Sequence, residues 1–203
     1  MPWIQQKPEH TCKLSEAMPL FSTSFCRILA EGYQALLEQN RGAIPTKSGF
    51  DVLRFTKIIP HLALCAIKKP DQCIFRVAGE GFKQRLGLNP TGLNYYDFVP
   101  ADRRAHAVRA MNMVIDVPCA FRVDVERHYS NGLSAMVEAI GLPLLSDESD
   151  VDGFIIFADE GLDLRPELTL NSSRLFDANV THRDLIDLGF GVDKTFVDLV
   201  WDA

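Results

Sequence analysis

The sequence predicts an α+β fold: a five-stranded antiparallel sheet with helices on one face, an amphipathic helix ahead of it and an extension behind. Three observations carry that prediction. Residues 24–40 show a helical apolar period, five short apolar or alternating segments lie within residues 61–160, and about 40 residues of helix and loop split those segments two and three.

Residues 1–23 hold Pro2, Pro8 and Pro19 among polar residues and read as an irregular arm. Residues 24–60 carry two predicted helices. In the first, Phe25, Ile28, Leu29, Tyr33, Leu36 and Leu37 recur at helical spacing, and Asn40-Arg41-Gly42 supplies the stop. Such a stripe must be buried, either on its own sheet or against the same helix of a second chain. Phe25, Leu29, Tyr33 and Leu36 are therefore the candidate dimer residues. Asp51 is placed to cap a second, shorter helix ending before Pro60, with Val52, Phe55, Ile58 and Ile59 inward.

Residues 61–160 form the expected core. Residues 61–67 and 73–77 are short strands joined at Lys68-Lys69-Pro70-Asp71 as a hairpin. Helix and loop return between Gly79 and Val117, where Val108, Met111, Val114 and Ile115 share one helical face. Residues 121–128 alternate, Ser130-Asn131-Gly132 turns the chain into residues 133–145, and an acidic turn leads into residues 153–158. That last segment is apolar on both faces and so reads as a central strand. In the extension, residues 161–203, Thr181 with Asp184 resembles a helix-capping box ahead of Leu185 and Leu188, and Phe196, Val197, Val200 and Trp201 suggest a further helix.

A chain that is 47% hydrophobic and 24% charged has the balance of a compact globular protein. Its formal net charge of −6 repels a phosphate backbone, which argues against nucleic acid as a partner. No apolar run approaches the ~20 residues that span a bilayer. The amino terminus lacks the pattern of a secretory signal, so a cytoplasmic location with no membrane partner is expected. Cys12, Cys26, Cys65, Cys73 and Cys119 are odd in number, scattered and never C-x-x-C, the usage of reduced thiols rather than of a disulfide framework or zinc site. Cys65 and Cys73 are placed to face one another across the hairpin.

Two strands, a run of short helices and three further strands is the element order of a PAS domain. Phe75-Arg76-Val77-Ala78-Gly79-Glu80-Gly81-Phe82, followed by Arg85-Leu86-Gly87 and Thr91-Gly92, resembles the strand, tight turn and pocket-covering helices of that family. Asp97-Phe98-Val99-Pro100-Ala101-Asp102-Arg103 is similar to its approach to the long helix before the third strand. The amino-terminal helix with Ile58-Ile59-Pro60-His61-Leu62 resembles a bacterial subfamily with a helix ahead of the first strand. The resemblance spans residues 24–160 and implies signal sensing through ligand or partner binding, often as dimers. The pocket it implies is lined by Phe75, Val77, Phe82, Leu86, Tyr96, Phe98, Val108, Met111, Ile115, Phe121 and Val123, with Tyr95 closing over it.

The resemblance also draws attention to His106, because haem-binding PAS sensors carry an axial histidine on this helix. Helical geometry argues against it: the centre of the Val108, Met111, Val114 and Ile115 stripe lies more than about 90° from His106, which shares a face with Asp102 and Arg109. A surface histidine is expected, and no cofactor is assigned. The flavin-binding branch uses a cysteine within Asn-Cys-Arg, a pattern this sequence lacks. Residues 148–155 imitate half of a calcium loop, but Glu stands at the first position and Asp159 at the twelfth, so a solvated hairpin is expected. His10 and Cys12 have no further ligands nearby to complete a metal site. His61 is expected at a strand start, His128 on an exposed strand face, and Arg76 away from the pocket.

The expected function is a sensory or regulatory module, not an enzyme, acting by small-ligand binding, homodimerisation and contact with a separate signalling protein. The alternatives are an α+β cone-type enzyme using a His61 and Asp124 pair, and a purely structural dimerisation domain.

Overall fold

The computed structural model describes residues 10–162 and 175–192. In chain order the elements are β1 (His10–Lys13), α1 (Leu14–Ala17), α2 (Ser24–Gln39), β2 (Leu62–Lys68), β3 (Gln72–Ala78), α3 (Glu80–Leu86), α4 (Ala101–Asp116), β4 (Cys119–Tyr129), β5 (Ser134–Leu144), β6 (Gly153–Gly161) and β7 (Leu175–Asp187). The sheet order is β1-β7-β4-β5-β6-β2-β3. All neighbours pair antiparallel except β1 with β7, which run parallel.

The five expected strands are all present, with β6 central as its all-apolar stretch requires. The expectation of a five-stranded antiparallel sheet is corrected to seven strands in a mixed sheet. Both additions lie outside the segment read as core. The supposed arm contributes β1 and α1, and the extension contributes β7, which takes Thr181 and Asp184 into a strand instead of a helix cap. The helix suggested at residues 196–201 lies outside the described residues.

Helices cover both faces of the sheet, not one. On the first face α2 buries Cys26, Leu29, Ala30, Tyr33, Leu36 and Leu37 against Leu62, Ala66, Ile140, Leu142, Phe154, Ile156 and Ile186. Phe25 is half-buried and stacks on His61, with ring centroids 4.0 Å apart. This settles the choice left open by the helical stripe. It is spent on its own sheet, so the proposed dimer residues of α2 are core residues, and the sheet face expected to be exposed is covered. Gly32 makes the close approach workable, since a Cβ there would lie 2.3 Å from the Phe55 ring.

The second predicted helix is only a 3-10 turn, Val52–Phe55. Asp51 does cap it, its Oδ1 accepting from the Leu53 amide at 3.0 Å. Phe55 and Ile58 turn inward as expected, whereas Val52 is 41% exposed. The five cysteines are free thiols; Cys65 stands opposite Phe75 and Cys73 opposite Ile67, so the two are diagonal neighbours, not a directly facing pair. No helix among the described residues is long and apolar enough to cross a membrane.

Candidate functional site

On the second face α3, the 3-10 turn Tyr95–Phe98 and α4 lie over the sheet and enclose a cavity of about 200 Å³. Its body is apolar. Phe75, Phe82, Phe98, Met111, Phe121 and Phe157 supply the bulk, while Ala107, Ala139 and Ala178 leave the space. Two glycines shape the enclosure. Gly79, the N-cap of α3, lies where a Cβ would come within 2.4 Å of the backbone oxygens of Ile59 and Pro60, so only glycine lets α3 start this close to the 3-10 turn Ile59–His61 that leads into β2. At Gly141 a Cβ would meet the Phe121 ring at 2.4 Å, and its absence lets that ring lie along the cavity wall.

Polar groups gather at the β6 and β7 side. Asp159 is 1% exposed and is held by two arginines. Arg127 Nη1 donates to its Oδ2 at 2.8 Å, and Arg85 of α3 donates to its Oδ1 from Nε at 3.1 Å and also from Nη2. Burial alone would raise the Asp159 carboxyl, but Arg127 and Arg85 hold it below its ordinary value. Arg103 of α4 donates to Asp177 Oδ1 at 3.1 Å and to the Ala178 carbonyl at 2.9 Å, tying α4 to β7. Arg183, His106 and Tyr95 line the cavity too. Burial lowers the guanidinium pKa of Arg183 and, with Arg183 and Arg109 nearby, that of His106; burial raises the Tyr95 phenol.

Of the eleven residues read from the sequence as pocket, Phe75, Phe82, Leu86, Phe98, Met111, Phe121 and Val123 line the cavity. Val77 is corrected: it is 59% exposed. Cys65 pairs with Phe75 but Leu64 pairs with Val77, so Arg76 is an extra residue in β3 and the alternation inverts after it. Arg76 itself is exposed and bonds Glu148 at 2.6 Å. Tyr96 is buried behind Tyr95, their ring centroids 5.7 Å apart, and does not reach the cavity. Val108 and Ile115 pack against the same core outside the cavity, Ile115 over Gly153.

His106 is corrected in the opposite sense. It is half-buried and lines the cavity. The cavity-facing side of α4 runs through Arg103, His106, Ala107 and Met111, a helical spacing that an apolar count misses because two of its members are polar. Arg103 faces inward because its partners lie on β7, a strand absent from the expected sheet. The missed cavity residues Ala178, Asn179, Val180 and Arg183 belong to β7 as well. Their signal was alternation between Arg183 and Leu185, interrupted by a bulge at Thr181.

His61 and Asp124 are not brought together as a catalytic pair. His61 Nδ1 lies 3.0 Å from Arg85 Nη1, whereas Asp124 accepts from Arg122 Nη2 at 2.8 Å in a separate cluster on the α2 face. In that cluster Arg122 also reaches Glu138 at 2.7 Å and Asp184 at 3.2 Å. Glu138 accepts from the Thr23 amide at 2.7 Å and Glu160 from the Phe25 amide at 2.7 Å, so two strand glutamates cap α2. The calcium-like turn has its carboxylates occupied: Glu148 by Lys47 and Arg76, Asp150 by Lys68. Among the described residues no group of three His, Cys, Asp or Glu is placed to hold a metal ion. His128 lies on a partly exposed strand face, its Nδ1 2.7 Å from Ser134 Oγ.

A tetrapyrrole does not fit a cavity of about 200 Å³, although His106 faces it. The cysteine adduct of the light-sensing branch has no counterpart here, because no cysteine lines the cavity among the described residues.

No family model and no curated protein matches this chain. Among solved structures it is similar to a fungal LOV domain photoreceptor, at 24% identity over 57% of this chain and 94% of that one, with a TM-score of 0.40. It is similar to a LOV protein of Rhodobacter sphaeroides at 16% identity over 58% of this chain and 71% of that one, TM-score 0.40. It is also similar to a PAS domain from Colwellia psychrerythraea at 11% identity, over 57% of this chain and all of that one, again with a TM-score of 0.40. Each likeness spans little more than half of this chain.

Proposed function

We propose that this chain is a sensory module in which a small ligand occupies the cavity beneath α3 and α4, and that its binding is read by a separate signalling protein through the packing of those helices. The observation that carries this reading is the cavity itself. Ala107, Ala139 and Ala178 stand at wall positions where larger aliphatic side chains would occupy part of the space. Leaving that space open forfeits packing contacts that larger side chains would supply. A purely structural domain gains nothing from such a sacrifice, whereas a binding site requires it.

The cover is built to respond. α3 has seven residues and ends at Gly87 in the left-handed region, φ 72°. It is fastened to the sheet by Arg85 on Asp159, at the edge of the cavity. A ligand that displaces Phe82 or Leu86 therefore acts on α3 and its fastening together.

The test compares the native mass of protein purified without denaturation with the mass after unfolding, and repeats it for Ala139→Leu. A ligand mass present in the first and missing in Ala139→Leu supports the reading. A homogeneous ligand-free mass, together with no thermal shift across a set of small apolar compounds, sinks it.

A further inference from the structure

Resting on the binding reading above, we infer that the ligand is an uncharged, single-ring molecule whose polar substituent hydrogen-bonds the Tyr95 hydroxyl while its ring lies among the aromatic side chains of the cavity.

The charges on the wall are already matched. Arg127 and Arg85 both hold Asp159, Arg103 donates to Asp177 and to the Ala178 carbonyl, and Arg183 is engaged as well. An anionic guest would have to draw a guanidinium from a partner it already has, and would do so beside the Asp159 carboxylate. A cationic guest would meet four guanidinium groups. Either would shed its hydration on entering a chamber with a mainly apolar wall, and a buried charge without a partner of its own is costly. Burial and the neighbouring Arg183 and Arg109 favour the uncharged imidazole of His106, so that residue adds no charge for a guest to answer.

Tyr95 is different. Its 3-10 turn is fixed onto β3 by Asn94, whose Oδ1 accepts from the Cys73 amide at 3.0 Å and from the Tyr96 amide at 3.3 Å. The Tyr95 ring stands edge-on to Phe75 at the cavity wall, with centroids 6.3 Å apart. Among the described residues its hydroxyl enters no hydrogen bond. Burial keeps it a neutral phenol, which both donates and accepts. Polar groups taken out of water as a rule have a partner, so this hydroxyl is the place for a donor or acceptor of the guest.

Size limits the body. An engineered cavity of about 150 Å³ holds benzene. The chamber here, about 200 Å³, takes one ring and a small substituent. Phe121 and Phe157, tilted to one another with centroids 6.0 Å apart, offer edges and faces suited to an aromatic ring.

Benzamide, toluene, benzoate and benzylamine share one ring. The first two are neutral, with and without a polar head, and the others carry a negative and a positive charge. Their binding to the full chain is measured by amide chemical-shift titration. Benzamide is expected to bind most tightly, about fivefold ahead of toluene for one net hydrogen bond, with both charged probes at least about tenfold weaker than benzamide. Tyr95→Phe is expected to bring benzamide to the level of toluene while leaving toluene unchanged. Benzoate or benzylamine binding as tightly as benzamide overturns the uncharged class and leaves the cavity reading standing. Toluene matching benzamide on the unaltered chain overturns the role of Tyr95. Absence of shifts at cavity residues with all four probes overturns both this inference and the cavity reading. The comparison of the four probes needs no variant, so poor folding of Tyr95→Phe does not remove the test.

Discussion

Arg85 on α3 grips Asp159 on β6 twice over, at the carboxylate Oδ1 from Nε at 3.1 Å and at the backbone carbonyl from Nη2 at 3.0 Å. The pair joins α3 to the sheet as Arg103 joins α4 to β7, and Asp159 shares its charge with buried Arg127. Removing the carboxylate leaves two guanidinium groups facing one another with little water. Asp159→Ala is expected to cost about 3–5 kcal/mol. Arg85→Met should cost less, because Asp159 keeps Arg127. Urea denaturation of the three proteins decides it; equal stability of all three would contradict the geometry.

Acid should act through the same carboxylate. Its pKa is depressed in the fold, so its contribution is complete above the unfolded value of about 3.9 and is lost as pH falls through the lower folded value. Asp159→Asn should therefore flatten the decline of stability below about pH 4. An unchanged slope would mean that other carboxylates control acid unfolding.

His61 and His106 report on a different range. Burial lowers both, with Arg85 acting further on His61, and Arg183 and Arg109 on His106. For a base with a depressed folded pKa, the unfolded chain takes up the proton first. Stability is thus expected to fall as pH drops below about 6.5, and to keep falling until the folded pKa is passed. Nuclear magnetic resonance titration of the two imidazoles checks the direction; midpoints above 6.5 would refute it.

The caps of α2 are unequal. Glu138 is fully buried and serves Thr23, Ser22 and Arg122 together, whereas Glu160 is half-buried and serves Phe25 and Ser24. Glu138→Ala is expected to destabilise by about 3–5 kcal/mol, since it removes one of the carboxylates holding buried Arg122 and the acceptor of the Ser22 and Thr23 amides together. Glu160→Ala should cost about 1 kcal/mol, the usual loss of a helix cap. Similar losses in denaturant midpoint would show that Arg122 is rescued by Asp124 and Asp184.

The two site glycines separate folding from binding. Gly79→Ala drives a methyl group into backbone oxygens of Ile59 and Pro60 that cannot rotate away, so a loss above about 3 kcal/mol is expected. Gly141→Ala instead meets the movable Phe121 ring, which has the cavity to swing into. About 1–3 kcal/mol of overpacking cost is expected there, with weaker ligand binding. Calorimetry with the probes above distinguishes the two outcomes.

The five strands β2 to β6 were legible because each alternates or is wholly apolar and is bounded by turn residues, as at Lys69-Pro70-Asp71 and Asn131-Gly132. The stripe of α2 was legible too, but a stripe does not say what it faces, and the sheet of its own chain won over a second copy. β7 was hidden for a physical reason. Arg183 and Asp184 are adjacent, hence on opposite faces, and both are drawn inward, Asp184 by Arg122 and Arg183 at the cavity. Hydrophobic periodicity is blind to a strand whose inward residues are charged. The error on His106 follows from that one: it looks solvated until β7 stands opposite it. Val77 failed through a single extra residue in β3, which no local pattern announces.

β7 also changes what counts as the smallest workable piece. With β1 alongside it, the strand seals the flank of β4, and Arg103 and Arg183 meet the guest space from its two sides. A fragment trimmed to residues 24–160 would keep β2 to β6 yet present a raw β4 border to other molecules, inviting strand-to-strand association. It would also open the cavity along its β7 wall, where Ala178, Val180 and Arg183 stand.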